Sequence, residues 1–544
     1  MINSLSFNCG PTVDASALQL QDVNGLTIFV GPNNCGKSAL IQSLYSAILG
    51  KGLQRQSALE TVGLKPFNKT DITLHPDFRD AHTGEKIQCG GQTETLQRWE
   101  RNLKLDWNGI WGGFFRDHYC AQMNGPQRLS MLPEESSVNL LKPVGPLARL
   151  FTDNPRRDSF QKAVFAGIEQ YPVIDHVTKT GTLRLAFSTQ KPRHAIERSM
   201  DAASIDFFGT VASRESLSDG FNAYVGLLGT LFATEHRTIL IDEPEAFLHP
   251  SLARTLGKQI AARSNGKQVF VATHSADFLM GAIESGVNIR IVRLQYQDGT
   301  GFAHLLENNE LREFMTDPIL RSANVLSGLF AKSVVVTEAD TDRSFYEEVN
   351  TRLLSKNDPR AIKDARFLNA QNKQTVARIV RLLRRMGIPT AGIVDLDVLS
   401  EGGTNWMHHI EAIRVPLLQH TGLGSTRSAV FKQLQDVSTD NKKKDYKIRG
   451  GISLLDDNGQ EAALNLTKQL CDYGLFVVAG GEVEQWLSEL NVPQSKHQWL
   501  HGIFDAMGSD ANSPDYVQPA NGDVWDFIGE LALWFNNKER KGLS

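Results

Sequence analysis

The sequence predicts an α/β chain built from two parallel-sheet units in series, and three observations carry that expectation. Short apolar runs of strand type at 26–30, 238–241 and 268–272 (LTIFV, TILI, QVFVA) each end abruptly in glycine, acid or small polar residues. A second series at 333–337, 365–368 and 390–394 (SVVVT, ARFL, TAGIV) alternates with segments of helical periodicity. The length, 544 residues, exceeds what one core organises. Hydrophobic residues at 41% and charged residues at 22% exclude a disordered chain, a collagen repeat and a coiled-coil rod. A net charge of −4 gives no global basic field, so any nucleic-acid contact has to come from a local cluster. Cys9, Cys35, Cys89, Cys120 and Cys471 are odd in number and form no C-x-x-C pair, which argues against disulfides and zinc. With no apolar N-terminal run and no stretch of about 18 apolar residues, the expectation is a cytoplasmic protein with no membrane span.

The first strand runs into Gly31-Pro32-Asn33-Asn34-Cys35-Gly36-Lys37-Ser38, and helical periodicity follows over 39–49. This is G-x-x-x-x-G-K-[ST] in strand–loop–helix context. Glycines let backbone N–H groups wrap phosphates, the helix N-terminus adds a positive dipole, and the lysine neutralises phosphate charge. Gly31, Asn34, Gly36, Lys37 and Ser38 are thus the expected ATP contacts, with Ser38 on Mg²⁺. The strand at 238–241 delivers Asp242, expected to hold Mg²⁺, and Glu243, expected to orient the attacking water as general base. The strand at 268–272 ends in Thr273-His274-Ser275, where His274 can reach the γ-phosphate. Between them, Leu217-Ser218-Asp219-Gly220 opens a helix running to about residue 233.

In this order, GPNNCGKS, LSDG, LIDEPEAFLHP and VATHS resemble the ATPase heads of the ABC, SMC and RecF type. The resemblance implies that Ser218 and Gly220 contact ATP bound by a partner subunit, so that a homodimer of heads completes the site. About 180 residues separate the phosphate loop from the signature, which calls for an inserted lobe around 51–205. Part of that lobe reads as a hairpin around Lys179-Thr180-Gly181 and as a helix over 161–170 that can help dimerisation. The stretch 63–106 is polar and turn-rich and reads as peripheral. The ATPase unit is expected over 1–326 and the second unit over 327–544.

In the second unit, the strand at 333–337 ends at Glu338-Ala339-Asp340-Thr341-Asp342. The strand at 390–394 ends at Asp395-Leu396-Asp397. In a parallel sheet these acids gather at the carboxyl ends of the strands and repel unless a cation lies between them. Two Mg²⁺ ions, or Mn²⁺, held this way suit phosphodiester cleavage. A glutamate after one strand and D-x-D after a later one resembles the TOPRIM domain of topoisomerases, primases and related nucleases. That resemblance makes Glu338, Asp342, Asp395 and Asp397 metal ligands or general base, with Ala339 standing where many TOPRIM sequences have glycine.

An ATPase head followed by a TOPRIM domain resembles the OLD (overcoming lysogenisation defect) family of nucleases, including Gabija-type and retron-associated anti-phage effectors. Within that family a later glutamate and a lysine complete the nuclease site. The strand at 475–479 leads to Gly480-Gly481-Glu482-Val483-Glu484 and an amphipathic segment over 485–490. Glu484 is the first choice, with Glu482 the open alternative, and Lys496 is the candidate lysine. Two basic clusters are candidate phosphate contacts: Arg378, Arg381, Arg384 and Arg385 at helical spacing, and Lys442, Lys443, Lys444, Lys447 and Arg449 in a loop.

The leading expectation is an ATP-hydrolysing, metal-dependent DNA endonuclease of anti-phage defence, its cleavage gated or positioned by the head dimer. Its alternatives are an RNA (tRNA) nuclease of the same architecture and a DNA-binding ATPase sensor with an inert TOPRIM domain. Expected partners are nucleic acid, a second copy of the chain with higher assembly possible, and a defence-system component such as a reverse transcriptase or helicase.

Overall fold

The structure is a computed structural model that describes residues 2–542 except 12–14, 56, 66–85, 90–91, 126–128, 142, 298, 307–316, 323, 441–443 and 494–497. The chain divides into two compact units, Met1–Asn308 and Asn309–Ser544. Among the described residues no helix is long and apolar enough to cross a membrane.

The N-terminal unit is organised by a six-stranded sheet. Its strands are β1 (Gly25–Val30), β2 (Cys120–Met123), β3 (Thr238–Asp242), β4 (Gln268–Ala272), β5 (Ile289–Gln297) and β6 (Thr300–Leu306), in the order β6-β5-β1-β4-β3-β2. All pairings are parallel except the β5–β6 hairpin. β1 and β4 are interior strands covered on both faces, which is why they read as unbroken apolar runs rather than alternating ones. Helices α1 (Lys37–Ile48), α2 (Asn154–Ile168), α3 (Asp219–Ala233), α4 (Pro250–Ala262) and α5 (Ala276–Glu284) accompany the sheet. Leu40, Ile41 and Leu44 of α1 pack with Phe29, Leu240 and Phe270 in one core. The helix expected over 161–170 is the C-terminal part of α2, which begins earlier and ends at Ile168, and it is held against α3, where the Tyr224 hydroxyl donates to the Ala163 carbonyl at 3.0 Å. The expected hairpin forms from Tyr171–Asp175 and Thr182–Ser188, paired antiparallel.

One expectation is incomplete here. Beyond the undescribed 66–85 and 90–91, the stretch 63–106 holds an antiparallel pair, Lys86–Cys89 with Gln92–Thr95, and the helix Leu96–Leu105. Trp99 and Leu103, four apart and therefore on one helical face, are fully buried with Phe115 and Tyr119. Average polarity hid that two-residue apolar stripe.

The C-terminal unit is a four-stranded, wholly parallel sheet of β7 (Ser333–Thr337), β8 (Ala365–Asn369), β9 (Thr390–Asp395) and β10 (Leu475–Val478), ordered β8-β7-β9-β10. Its helices include α6 (Asp340–Ser355), α7 (Lys373–Arg385), α8 (Asp457–Asp472), α9 (Trp499–Met507) and α10 (Asp523–Asn536). Phe345 and Val349 of α6 pack with Ile393, Phe476, Trp499, Trp525 and Leu531. β9 is buried from Thr390 to Val394 and emerges only at Asp395, so burial of the strand delivers that carboxylate to the sheet's carboxyl edge.

Two further readings change. The segment 485–490 is no helix but two 3-10 turns, Val483–Gln485 and Ser488–Leu490, interrupted by Leu487 at φ 52°. Arg384 does not belong to a phosphate-facing surface. It is 2% exposed, its guanidinium donating to the carbonyls of Thr390 (2.8 Å), Tyr473 (2.8 Å) and Gly542 (3.0 Å) and lying over the Trp534 ring. Helical spacing placed it beside its basic neighbours, but an arginine can satisfy buried carbonyls as readily as phosphates. Arg378 is paired with Asp317, leaving Arg381 half-buried and Arg385 exposed.

Candidate functional site

At the tip of β1 the chain turns through Gly31 (φ 147°), Asn34 (φ 60°) and Gly36 (φ 89°) before α1 begins at Lys37. A Cβ on Gly31 would lie 2.2 Å from the Leu294 carbonyl oxygen, so the loop packs against β5 only because that residue is glycine. Lys37 is 5% exposed, its ammonium donating to the carbonyls of Gly31 and Pro32, both at 2.8 Å. Ser38 Oγ donates to Asp242 Oδ1 at 3.2 Å, bringing the loop hydroxyl and the tip of β3 together as the sequence predicts. Glu243 follows at φ 52° and meets the His274 ring Nε2 through Oε1. Ser218 and Gly220 open α3. Ser218 Oγ caps it by accepting the Phe221 N–H at 3.4 Å, and Gly220 packs closely over the Phe247 carbonyl. The sequence reading gave no role to Glu245. Its Oε1 accepts the His274 N–H at 2.7 Å, its buried Oε2 has no hydrogen-bond partner, and burial pushes its carboxyl up.

In the C-terminal unit the carboxylates of Glu338, Asp395 and Asp397 converge, with one oxygen from each within 4.8 Å of the others. Glu338, at the tip of β7, is steered by the Asp395 N–H, which donates to its Oε1 at 2.9 Å. Asp342 turns back to accept the Ala339 N–H at 3.2 Å, which fixes it in the first turn of α6. Alanine at 339 is extended (φ −131°), so glycine's conformational freedom is not required there. Burial, followed by the neighbouring charge of Asp395, pushes Glu338 well above the usual carboxylate range and Asp342 up to about 7. Burial also raises Asp395.

Asp397 behaves oppositely. Burial acts to raise it, but the ammonium groups of Lys447, Lys373 and Lys444 outweigh burial and hold its carboxyl low. Lys373 lies 2.6 Å and Lys444 3.2 Å from its Oδ2, while its Oδ1 makes no hydrogen bond. Glu482 and Glu484 are both buried, at 4% and 7% exposure. Glu482 Oε2 lies 3.4 Å from the Lys447 ammonium, and the charge of Glu484 is felt at Asp342 and Tyr346. Glu482 therefore borders the cluster through Lys447, and Glu484 acts on it through its charge. Lys496 lies outside the described residues, as do Lys442 and Lys443 of the basic loop. The rest of that loop departs from a phosphate-contacting surface: Lys444 and Lys447 turn inward to the acids, and Arg449 donates to the Val437 carbonyl at 3.0 Å.

An all-carboxylate donor set around a buried, hydrogen-bond-free Asp397 Oδ1 fits a hard divalent cation such as Mg²⁺ or Mn²⁺. The phosphate loop likewise fits a nucleotide, because its glycines keep side chains out of the cradle while Lys37 and the start of α1 supply positive charge. Comparison with known proteins finds a matching domain family in each unit. Residues 190–281 match a family described as "AAA domain, putative AbiEii toxin, Type IV TA system". Residues 329–397 match "Overcoming lysogenization defect protein-like, TOPRIM domain". The chain has the ATPase–TOPRIM architecture of the OLD family.

The Old nuclease of Escherichia phage P2 is 23% identical over 348 residues, covering 58% of this chain and 53% of that protein. The chain thus spans about half the length of the curated relative it matches. Among solved structures, an SMC head bound to the C-terminal winged-helix domain of ScpA is 15% identical, covering 57% of this chain and 99% of that one with a TM-score of 0.35. The SMC head domain from Thermotoga maritima is 13% identical, covering 56% and 99% with a TM-score of 0.29. Sequence reasoning gave no role at these sites to Lys373 and Glu245, and expected Lys447 only as a phosphate contact. Lys373 begins α7, where helical spacing does not show what its side chain meets, and the inward direction of Lys447 is set by a turn that composition does not reveal.

Proposed function

We propose that the chain is an ATP-hydrolysing, divalent-metal-dependent endonuclease acting on DNA. The observation that carries this is the convergence of Glu338, Asp395 and Asp397 at one sheet edge, in a chain that also presents a phosphate loop beside Asp242, Glu243 and His274. In this reading Lys37 neutralises nucleotide phosphate, Ser38 and Asp242 hold its Mg²⁺, Glu243 orients water and His274 senses the γ-phosphate. In the second unit Glu338, Asp342, Asp395, Asp397 and Glu484 hold the metal, and Lys496 serves the leaving group. A divalent ion bound there lowers the pKa of its water and polarises a phosphodiester oxygen. Pairing of heads as a homodimer, with Ser218 and Gly220 facing the partner's nucleotide, would gate or position cleavage in anti-phage defence in the cytoplasm. Supercoiled plasmid and total RNA, each incubated with protein, Mg²⁺ or Mn²⁺ and ATP, test the reading. Metal-dependent nicking of the plasmid supports it, cleavage of RNA alone redirects the substrate, and no cleavage of either leaves the ATPase sensor.

The raised carboxyls make metal uptake pH-dependent. Glu338 and Asp342 must lose protons to bind a cation, and Asp342 does so near pH 7. Apparent Mn²⁺ affinity at the C-terminal site is expected to rise about tenfold per titrating carboxyl between pH 6 and 8, measured by calorimetry without nucleotide. A flat profile would remove Asp342 and Glu338 from the ligand set.

A further inference from the structure

We propose that the C-terminal acidic site takes one divalent ion, in the cradle of Glu338, Asp395 and Asp397, and that the ammonium group of Lys447 occupies the position of a second cation. The inference rests on the nuclease reading above and refines its metal content.

Three carboxylates surround the Lys447 ammonium group. Its Nζ lies 2.7 Å from Asp395 Oδ2, 3.4 Å from Glu482 Oε2 and 3.8 Å from Asp397 Oδ1. Its side chain is 11% exposed, so this is no surface lysine resting on a convenient acid. The backbone that carries it is clamped. Asp445, at the start of the same 3-10 turn, accepts the Thr439 N–H at 3.1 Å and the hydroxyls of Ser438 and Thr439. A Cβ on Gly481 (φ 122°) would lie 2.0 Å from the Lys447 carbonyl oxygen, and one on Gly451 (φ 60°) would lie 2.3 Å from that of Ala479. Only glycines allow the turn to press this closely against the end of β10. The Ile452 N–H completes the clamp on the Ala479 carbonyl at 3.0 Å.

The remaining charges sort themselves around that ammonium. Lys373 and Lys444 share Oδ2 of Asp397, so its Oδ1, which makes no hydrogen bond, remains for a cation. Asp395 Oδ2 and Glu482 Oε2 already have the ammonium group of Lys447 as counter-charge. A second Mg²⁺ would need oxygens at about 2.0–2.1 Å. Drawing those two oxygens around it would bring a doubly charged ion within a few ångströms of a pinned ammonium, in a site with little water to screen the repulsion.

The test counts ions in full-length, nucleotide-free protein. Bound Mn²⁺ is measured by equilibrium dialysis and electron paramagnetic resonance in the wild type and in Asp395→Asn, and their difference reports ions at this site, independent of any bound by the ATPase unit. A difference of one, with no spin-coupled manganese pair, is expected. Lys447→Met is expected to raise the difference to two and bring out a coupled pair, whereas Lys447→Arg, which keeps the charge, stays at one. A wild-type difference of two, or a coupled pair in wild-type protein, overturns the inference whether or not Lys447→Met folds. If that protein still cleaves with metal, the nuclease reading survives alone. A difference of zero with no cleavage removes both.

Discussion

Asp395→Ala is expected to lower nucleic-acid cleavage by at least about a hundredfold while ATP hydrolysis stays near the wild-type rate. The size follows from what Asp395 touches. Its carboxylate is one wall of the three-acid cradle and its Oδ2 neutralises Lys447, whereas the backbone N–H that orients Glu338 is kept in the variant. Removing it takes away a metal ligand and leaves the ammonium of Lys447 bearing on Asp397 and Glu482 alone. Glu338→Ala should act alike, since its carboxylate is the second wall. Separation of the two activities follows from geometry. These acids end strands of the four-stranded sheet, whereas Ser38, Asp242 and Glu243 end strands or begin a helix of the six-stranded one. Both variants are assayed for plasmid cleavage and for phosphate release, with thermal melting as a folding control. Should both cut at the wild-type rate, the TOPRIM nuclease reading fails and the ATPase-sensor reading replaces it.

The sequence was most legible where a feature is local and repeated by burial. β1, β3, β4, β7 and β9 are buried on both faces, so each is an apolar run whose end is visible, and the residue after the run is the site residue. That is how Asp242, Glu338 and Asp395 were singled out, while Lys37 was singled out by the phosphate-loop spacing that follows β1. What was not legible depends on direction. Arg384 and Lys447 look like their basic neighbours in sequence, yet one ends on three carbonyls and the other among three acids. A charged side chain turns inward when the fold offers partners that replace its water, and those partners lie far away in sequence: Gly542 for Arg384, Asp395 for Lys447. Gly481 and Gly451 were the available hint for Lys447, since paired glycines at a strand end allow another backbone to approach. The helix Leu96–Leu105 was missed for a simpler reason, because it buries only Trp99 and Leu103 and the rest of the stretch is polar.

Lys37→Ala is expected to abolish ATP binding at ordinary concentrations and to reduce hydrolysis by about a hundredfold or more, whereas Glu243→Gln should bind ATP and stall. Lys37 is the sole side-chain cation of the phosphate loop itself, and without nucleotide its ammonium rests on two loop carbonyls at 2.8 Å. Those carbonyls hold the lysine at the cradle's floor, and phosphate oxygens carrying full charge compete with them on favourable terms. Alanine removes both the charge and the interaction that braces the loop, so binding itself should fail. Glutamine at 243 keeps the hydrogen-bonding shape beside His274 but cannot take a proton, and loss of a general base commonly costs about 10²–10⁴ in rate. Nucleotide binding by calorimetry and phosphate release separate the two defects. If Ser218 faces a partner's nucleotide, the stalled Glu243→Gln protein should also collect as an ATP-dependent dimer, visible as a doubled mass by light scattering. A Lys37→Ala protein turning over ATP at the wild-type rate would show that the loop is not the nucleotide site. A Glu243→Gln protein that binds ATP, stalls and remains strictly monomeric would keep the ATPase chemistry but remove the partner from it, because hydrolysis would then have been assembled from Lys37, Asp242, Glu243 and His274 of a single chain.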